Sequence, residues 1–125
     1  MSLAKFPDTW PSDCPPRDAF DAEGTVFRIV GHNPPAPEDF LTNFETGAFP
    51  SRPACLRCGL SVHRILSDAI HTKTKYPRLG IRIARGMLTS GCGKTKQTGQ
   101  ASHTTWWVYE GLNRAGIFAC VAEES

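Results

Sequence analysis

The sequence predicts a compact α+β domain with a mainly antiparallel sheet and two short helices. Three observations support this prediction: a run of β-branched residues between glycines at 24–31, an aromatic run at 103–111, and apolar residues at helical spacing between the two runs. Branched and aromatic side chains favour strands, and apolar residues three and four positions apart favour one face of a helix. The resulting order of strand, helix, strand, helix, strand, loop and two strands is typical of the α+β class.

The aromatic run contains two adjacent tryptophans and is the predicted centre of the domain. Two threonines precede Trp106 and Trp107, and a valine and a tyrosine follow them. Successive side chains of a strand point to opposite faces, so each tryptophan lies on its own face of the sheet. We therefore expect both faces to be covered and Trp107 to be largely buried. Glu110 lies at the end of this strand and shares a face with Trp106.

The first strand, at residues 24–31, has one charged residue on an otherwise apolar face. Val26, Arg28 and Val30 share that face. A buried charge costs free energy unless a partner meets it, so an arginine in this position is usually paired or bound to an anion. We expect this strand to lie in the same sheet as the aromatic strand, because a domain of this size has one main sheet.

Two segments have the character of short helices. Residues 37–46 begin with a proline and two acids, which suit the first turn of a helix and the positive end of its dipole. Gly47 then ends the segment. Between residues 65 and 70, apolar side chains repeat at helical spacing, which predicts a second helix that ends near Lys75.

The remaining segments are predicted to be strands, a loop and a leader. The further strands are predicted at residues 59–63, 79–88 and 116–121. Residues 89–102 are rich in Gly, Ser, Thr, Lys and Gln, which indicates a loop. Residues 1–23 contain four prolines among several aspartates, so we expect an irregular leader followed by a single α+β domain at 24–125.

Charge is distributed unevenly along the chain, although the formal net charge is only +2. Residues 1–51 contain eight acidic and three basic side chains. Residues 52–109, the basic segment, contain ten basic side chains and one acid, Asp68. Such a segment attracts anions, for example a nucleotide, a nucleic acid or an acidic protein. The alternative is that the acidic N-terminal third packs against the basic segment and neutralises it.

Composition also gives expectations for location and for the cysteines. No apolar run approaches the roughly 20 residues of a membrane-spanning helix, and the N-terminus lacks the apolar stretch of a signal peptide. The five cysteines form no dense framework, which favours reduced thiols. We therefore expect a cytoplasmic location, free thiols and no membrane partner.

Two motifs with known chemistry are incomplete. Residues 90–95 resemble the end of a phosphate-binding P-loop, but Leu88 occupies the place of the first glycine and no helix-forming sequence follows. Cys55 and Cys58 have the spacing of half a zinc site, whereas the other possible ligands, His63 among them, have no characteristic spacing. We therefore expect no metal, and a flexible basic loop that contacts an anion.

Three residues follow one another in an order that resembles the Arg–Ser–Glu plan of ADP-ribosyltransferase-like domains. They are Arg28 on the first strand, Ser61 in a Gly-Leu-Ser-Val run, and Glu110 after the tryptophans. The resemblance implies an ADP-ribosyltransferase-like fold that binds or cleaves NAD. It implies that the arginine orients the phosphates, that the serine braces the nicotinamide pocket, and that the glutamate stabilises the oxocarbenium-like state as nicotinamide leaves.

The same resemblance implies an aromatic residue stacked on the nicotinamide, for which Tyr109, Trp106 and Trp107 are candidates. His103, at the start of the aromatic run, and Lys94, in the predicted loop at 89–102, are further candidates for binding the cofactor. Residues 24–118 also resemble short bacterial proteins that share the runs Gly-Thr-Val-Phe-Arg, Asn-Pro-Pro followed by Glu-Asp-Phe, Gly-Leu-Ser-Val, and Thr-Trp-Trp-x-Tyr-Glu-Gly. That second resemblance implies no known activity.

We predict that the functional surface is an anion-accepting cleft where Arg28 and residues 89–103 meet Glu110. Lys94 and Lys96 supply positive charge there, and small residues let backbone amides approach a phosphate. Three alternatives stay open. Arg28 and Glu110 could form a salt bridge without a ligand. The chain could be a non-enzymatic module that binds nucleic acid or an acidic protein through the basic segment. It could also be a helper or immunity-type protein with no small ligand.

Overall fold

The computed structural model describes residues 4–122, and this part of the chain forms one antiparallel sheet of seven strands. The strands are β1 (Phe20–Asp21), β2 (Gly24–Val30), β3 (Leu60–His63), β4 (Arg82–Leu88), β5 (Gly93–Gln97), β6 (His103–Val108) and β7 (Phe118–Cys120). Their order across the sheet is β1-β5-β6-β3-β2-β4-β7. The first strand and the aromatic strand therefore share one sheet, as predicted, with β3 between them.

The described chain also contains three α-helices. They are α1 (Asn43–Thr46), α2 (Ala54–Arg57) and α3 (Leu66–Lys75). The α+β class is confirmed, and α3 is the predicted second helix. The predicted first helix is interrupted, because Pro37–Phe40 forms a 3-10 turn and α1 begins again after Thr42, whose hydroxyl accepts a hydrogen bond from the Glu45 backbone amide. Gly47, at φ 78°, ends α1. No helix between residues 4 and 122 is long and apolar enough to cross a membrane.

Strand β5 lies where the sequence predicts a loop, so the prediction is wrong for residues 93–97. β5 lies next to the edge strand, and it pairs with β1 on one side and with β6 on the other. This position satisfies its backbone groups on both sides. Thr95 packs on the buried face, while Lys94 and Lys96 alternate to the opposite face. Pairing with neighbours therefore overrides a composition that is typical of loops.

Each face of the sheet has its own apolar cluster, and each cluster contains one of the adjacent tryptophans. Trp106 packs in the larger cluster with Phe118, and Trp107 packs in the smaller one with Cys14. Both tryptophans are 0% exposed. Their indole N–H groups donate to backbone carbonyl oxygens at 3.1 and 2.8 Å. The predictions that both faces are covered and that Trp107 is buried are confirmed.

A disulfide joins Cys14 to Cys55, so the prediction that all thiols are reduced is wrong. Cys58, Cys92 and Cys120 form no disulfide. The N-terminal segment brings Cys14 against α2, although 41 positions separate the bonded cysteines. Cysteine spacing cannot indicate this pair, because the contact depends on the path of the leader across the sheet. Disulfides are typical of oxidising compartments, so the cytoplasmic location, which was inferred from free thiols, stays a prediction.

Candidate functional site

Strands β2 and β3 separate after one registered pair, and Arg28 occupies the gap. Phe27 lies opposite His63. Beyond this pair, Arg28 Nη1 donates to the Ser61 carbonyl oxygen at 2.8 Å, and its Nε donates to the Asp39 carbonyl oxygen at 2.9 Å. A carbonyl that loses its strand partner needs another donor, and a guanidinium supplies several in a fixed geometry. Arg28 therefore connects β2, β3 and the turn before α1.

A groove of about 670 Å³ opens at this gap. Its lining includes three arginines and two histidines: Arg28, Arg52, Arg78, His63 and His103. No Asp or Glu of the described chain lines it. Neither Arg52 nor Arg78 forms an ion pair with any residue from 4 to 122. A concave surface with several cations and no carboxylate attracts anions.

Arg28 keeps its positive charge at neutral pH although it is half-buried. Burial lowers the pKa of Arg28 to about 10, the carboxylate of Asp39 opposes this shift, and the nearby charge of Arg114 adds to it. The guanidinium carbon also lies 5.6 Å from the centre of the Phe40 ring. Arg28 Nη2 makes no hydrogen bond within residues 4–122. Arg28 lines the groove, so its guanidinium adds positive charge there.

The rim of the groove has exposed apolar side chains. They are Leu41, Phe49, Tyr76 and Leu79. Phe49 adopts a φ of 50°, in the left-handed region that bulky residues rarely occupy. The guanidinium carbon of Arg52 lies 4.0 Å from the centre of the Phe49 ring. Backbone strain of this kind is frequent at ligand sites, and here it presents an aromatic ring beside a cation.

Two histidines face each other across β3 and β6 and line the groove. His63 and His103 are a registered pair, with ring centres 5.5 Å apart in an edge-to-face arrangement. His103 Nδ1 lies 2.8 Å from the Thr98 carbonyl oxygen, so we assign the Nδ1 proton to this bond. His63 is 6% exposed and its Nδ1 lacks a hydrogen-bond partner. Burial lowers the pKa of His63, the charge of His103 lowers it further, and Asp68 opposes both effects.

These histidines have no third ligand beside them. Within residues 4–122, no group of three or more His, Cys, Asp or Glu side chains is arranged to hold a metal ion. Cys55, half of the zinc spacing in the sequence, is bonded to Cys14 instead. The polar lining of the groove includes arginine, histidine and hydroxyl side chains.

Arg28 and Ser61 come together in the groove, whereas Glu110 lies elsewhere. The Glu110 amide donates to the Lys5 carbonyl oxygen at 2.8 Å, and Glu110 Oε2 lies 3.6 Å from Lys5 Nζ. Ser61 is registered with Thr105, and Glu110 lies five positions further along the chain, beyond the end of β6. The salt bridge between Arg28 and Glu110, one of the open alternatives, is not formed in the described chain. The predicted meeting of the two residues in one cleft is wrong. Their order in the sequence carries no information on how far β6 runs past β3.

The four residues predicted to bind a cofactor are spread over the sheet. His103 lines the groove. Trp106 is fully buried in the larger cluster, Tyr109 packs on Phe6 with ring centres 4.6 Å apart, and Lys94 binds an aspartate of the N-terminal segment. None of these last three predicted residues lines the groove. Alternation along β6 separates Trp106 from His103, because odd and even positions face opposite sides.

The N-terminal third neutralises part of the basic segment. Lys94 Nζ lies 2.6 Å from Asp21 Oδ1, and Lys96 Nζ lies 2.8 Å from Asp18 Oδ2. Both pairs sit where β1 joins β5. The alternative in which acidic and basic parts pack together therefore describes this edge of the sheet. Together with the burial of both tryptophans, it removes the main support for nucleic-acid stacking on β5 and β6.

Several groove residues were not among those predicted from the sequence. Arg52, Tyr76 and Arg78 lie in loops and turns on either side of β3, and only the fold brings them together. His63 lies two positions after Ser61 in β3, so the period of two residues along a strand predicts that both lie on one face. No comparable signal exists for the loop residues.

No protein-family model, no curated protein and no solved structure matches the chain. The resemblances found in the sequence therefore stay predictions. The functional argument depends on the groove, which combines cations, two histidines and an exposed hydroxyl.

Proposed function

We propose that the groove binds a phosphate-bearing nucleotide, and that NAD is the ligand implied by the resemblance to ADP-ribosyltransferase-like domains. The observation that supports this most is the presence of three arginines in a groove that no described carboxylate lines. Guanidinium groups match phosphate oxygens in geometry and stay charged. Arg28 Nη2, Arg52 and Arg78 are the donors for the phosphate.

The ring-bearing part of the ligand lies against the apolar rim. Phe49 and Tyr76 are both 52% exposed and both line the groove. Aromatic side chains stack on nucleobases with little regard to sequence. The volume of about 670 Å³ lies within the usual range of small-molecule sites, about 300–1,000 Å³. A small anion alone would leave this rim unused.

An ADP-ribosyltransferase-like fold is part of this proposal, supported by the contact between Arg28 and Ser61 on adjacent strands. Cleavage of NAD with Glu110 at the reacting carbon has no such support, because Glu110 lies beside Lys5. We therefore propose binding as the activity of the groove and expect Glu110→Gln to bind NAD as the unchanged protein does.

Isothermal titration calorimetry with AMP and with NAD tests the proposal. Each of Arg52→Ala and Arg78→Ala should weaken binding about tenfold or more, since a charge-assisted hydrogen bond contributes about 1.5–3 kcal/mol. Arg17→Ala is the matched control, because Arg17 is exposed and does not line the groove. Absence of binding for both ligands at millimolar concentration, or an equal loss in Arg17→Ala, would contradict the proposal.

A further inference from the structure

We infer that Ser61 is a nucleophile activated by His103, and that the groove transfers the phosphoryl group of a nucleotide phosphoester to this serine before water removes it. The inference rests on the proposed binding of a nucleotide phosphate in the groove, and it adds a reaction to that binding. Its parts are a hydroxyl, a base, a group that orients the base, and donors for the developing charge.

The hydroxyl and the base lie on one face of two paired strands. Ser61 is registered with Thr105, and His63 is registered with His103. Ser61 and His103 are therefore diagonal neighbours, about 7–8 Å apart at their Cα atoms, a separation that their side chains can bridge. Ser61 is the exposed residue of β3, and its hydroxyl makes no hydrogen bond within the described residues.

The loop after β5 orients the base. His103 Nδ1 lies 2.8 Å from the Thr98 carbonyl oxygen and 3.1 Å from Thr98 Oγ1. Thr98 Oγ1 is itself held by Thr105 Oγ1 at 2.7 Å. With its proton on Nδ1, His103 has its lone pair on Nε2, which is the tautomer that a general base requires. Gly99, at φ 70°, lets the loop pass close to the ring, since a Cβ there would lie 3.3 Å from His103 Nδ1.

Two further groups can stabilise negative charge in the same groove. His63 Nδ1 is buried without a partner, which leaves Nε2 as the nitrogen that meets a ligand. An orphaned buried N–H is the costlier arrangement, so the neutral ring carries its proton on Nε2 and donates from there. The lowered pKa of His63 agrees with a neutral donor. Arg28 belongs to the other face of the sheet, since Phe27 is the residue registered with His63, but it reaches into the gap where its Nη1 binds the Ser61 carbonyl oxygen, and it supplies a second donor there.

The reaction balances with one histidine. His103 Nε2 takes the hydroxyl proton of Ser61 as the serine oxygen forms a bond to phosphorus. The bond from phosphorus to the leaving oxygen breaks, and that oxygen takes the proton back from His103. Water then attacks the phosphoserine with the same base, which restores the Ser61 hydroxyl and releases the phosphate product. No oxidation or reduction takes place, and the donors of His63 and Arg28 face the charge on the phosphoryl oxygens.

A fluorophosphonate probe tests the nucleophile directly, because attack by serine on phosphorus expels fluoride and leaves a covalent adduct. Intact-mass analysis of the full chain, followed by fragment mapping, should find one adduct, on Ser61. Ser61→Ala should abolish it, and His103→Gln should slow its formation about 100-fold or more. His103→Asn is a second variant that removes Nε2 but keeps a donor towards the Thr98 carbonyl, so it should be as slow while folding normally.

Two exposed residues of α3 outside the groove provide matched controls: Ser67→Ala and His71→Gln should label like the unchanged protein. Thymidine 5′-(4-nitrophenyl phosphate) is a diester, so attack by Ser61 expels 4-nitrophenolate and leaves a thymidylyl ester on the serine, from which water releases thymidine 5′-phosphate. This hydrolysis, followed in the presence of EDTA, should disappear in Ser61→Ala. An adduct elsewhere than on Ser61, or undiminished labelling in both His103 variants, would overturn the inference.

Calorimetry with AMP separates failure of this inference from failure of the proposed function. If AMP binds but neither the adduct nor nitrophenolate release is seen, the binding groove stands and the inference is overturned. If AMP does not bind, both are overturned, because a labelled Ser61 alone would not make a nucleotide its substrate. Binding of AMP by Ser61→Ala, together with loss of the adduct, is the result that supports both.

Discussion

Arg28 Nη1 donates to the backbone carbonyl oxygen of Ser61 at 2.8 Å, in a position where β2 and β3 no longer pair with each other. A side chain thus replaces the main-chain partner that Ser61 would have in a continuous ladder. Two consequences follow from this one bond. The sheet can open into a groove without leaving the carbonyl unsatisfied, and a guanidinium is fixed beside the exposed serine.

Replacing Arg28 with alanine should lower the free energy of unfolding by about 3 kcal/mol or more. Each bond to the guanidinium is charge-assisted and contributes about 1.5–3 kcal/mol, and the carbonyls of Ser61 and Asp39 would lose their donor. The free energy of unfolding of Arg28→Lys should lie between those of the unchanged protein and Arg28→Ala, since an ammonium cannot reproduce the fork geometry of a guanidinium. Urea denaturation measures the effect, with Arg17→Ala expected within about 0.5 kcal/mol of the unchanged protein. An Arg28→Ala variant as stable as that control would show that the gap needs no donor.

Trp107→Ala should cost about 3–5 kcal/mol, as for other large buried aromatics. Trp107 is fully buried between the sheet and the N-terminal segment, and its indole N–H donates to the Cys55 carbonyl oxygen at 2.8 Å. Trp107→Phe keeps much of the packing but loses this hydrogen bond, so it should cost clearly less. The midpoint of chemical denaturation measures both variants. Equal midpoints for Trp107→Ala and the unchanged protein would mean that the side chain is exposed in solution.

The disulfide between Cys14 and Cys55 predicts a thiol count that changes with reductant. Ellman titration of the denatured chain should find three thiols before reduction and five after it, because two of the five cysteines are bonded. Reduction should also lower stability by about 2–4 kcal/mol, through the greater freedom of the unfolded chain. Cys14→Ala should show no response to reductant. Five thiols before reduction would restore the expectation of free thiols.

Local sequence patterns are sufficient to predict those helices and strands that have one periodic apolar face. The alternation in β2 and β6 and the helical spacing in α3 can be recognised in the sequence, since each follows from one periodic face. β5 cannot be recognised in this way, because its glycine, lysines and threonine are typical of a loop. It forms a strand because β1 and β6 pair with it on either side. The disulfide belongs to the same class of feature, as it depends on where a long leader crosses the sheet.

The residues of the site also divide into those that the sequence reveals and those that depend on distant contacts. Arg28 could be identified from sequence because a charge on an apolar strand face demands an explanation, and Ser61 came from a resemblance in residue order. Glu110 came from the same order, yet register and strand length place it with Lys5 instead. Arg52 and Arg78 could not be found, since loop residues have no periodicity that reveals their direction. A sequence thus indicates which side chains need partners more readily than it indicates which partners they meet.

Acid should destabilise the protein through His63 before most carboxylates titrate. Burial comes first and the charge of His103 second in lowering the pKa of His63, so the unfolded chain, with a histidine pKa of about 6.5, binds this proton more readily than the folded one. The free energy of unfolding therefore decreases as the pH falls below the histidine pKa of the unfolded chain. We expect the stability advantage of the unchanged protein over His63→Gln to be constant above about pH 7.5 and to shrink towards pH 5. Urea denaturation at several pH values measures this, with His71→Gln as an exposed control that should run parallel. If the free energy of unfolding of His63→Gln also ran parallel to that of the unchanged protein across this pH range, the folded state would have no preference for the neutral form of His63.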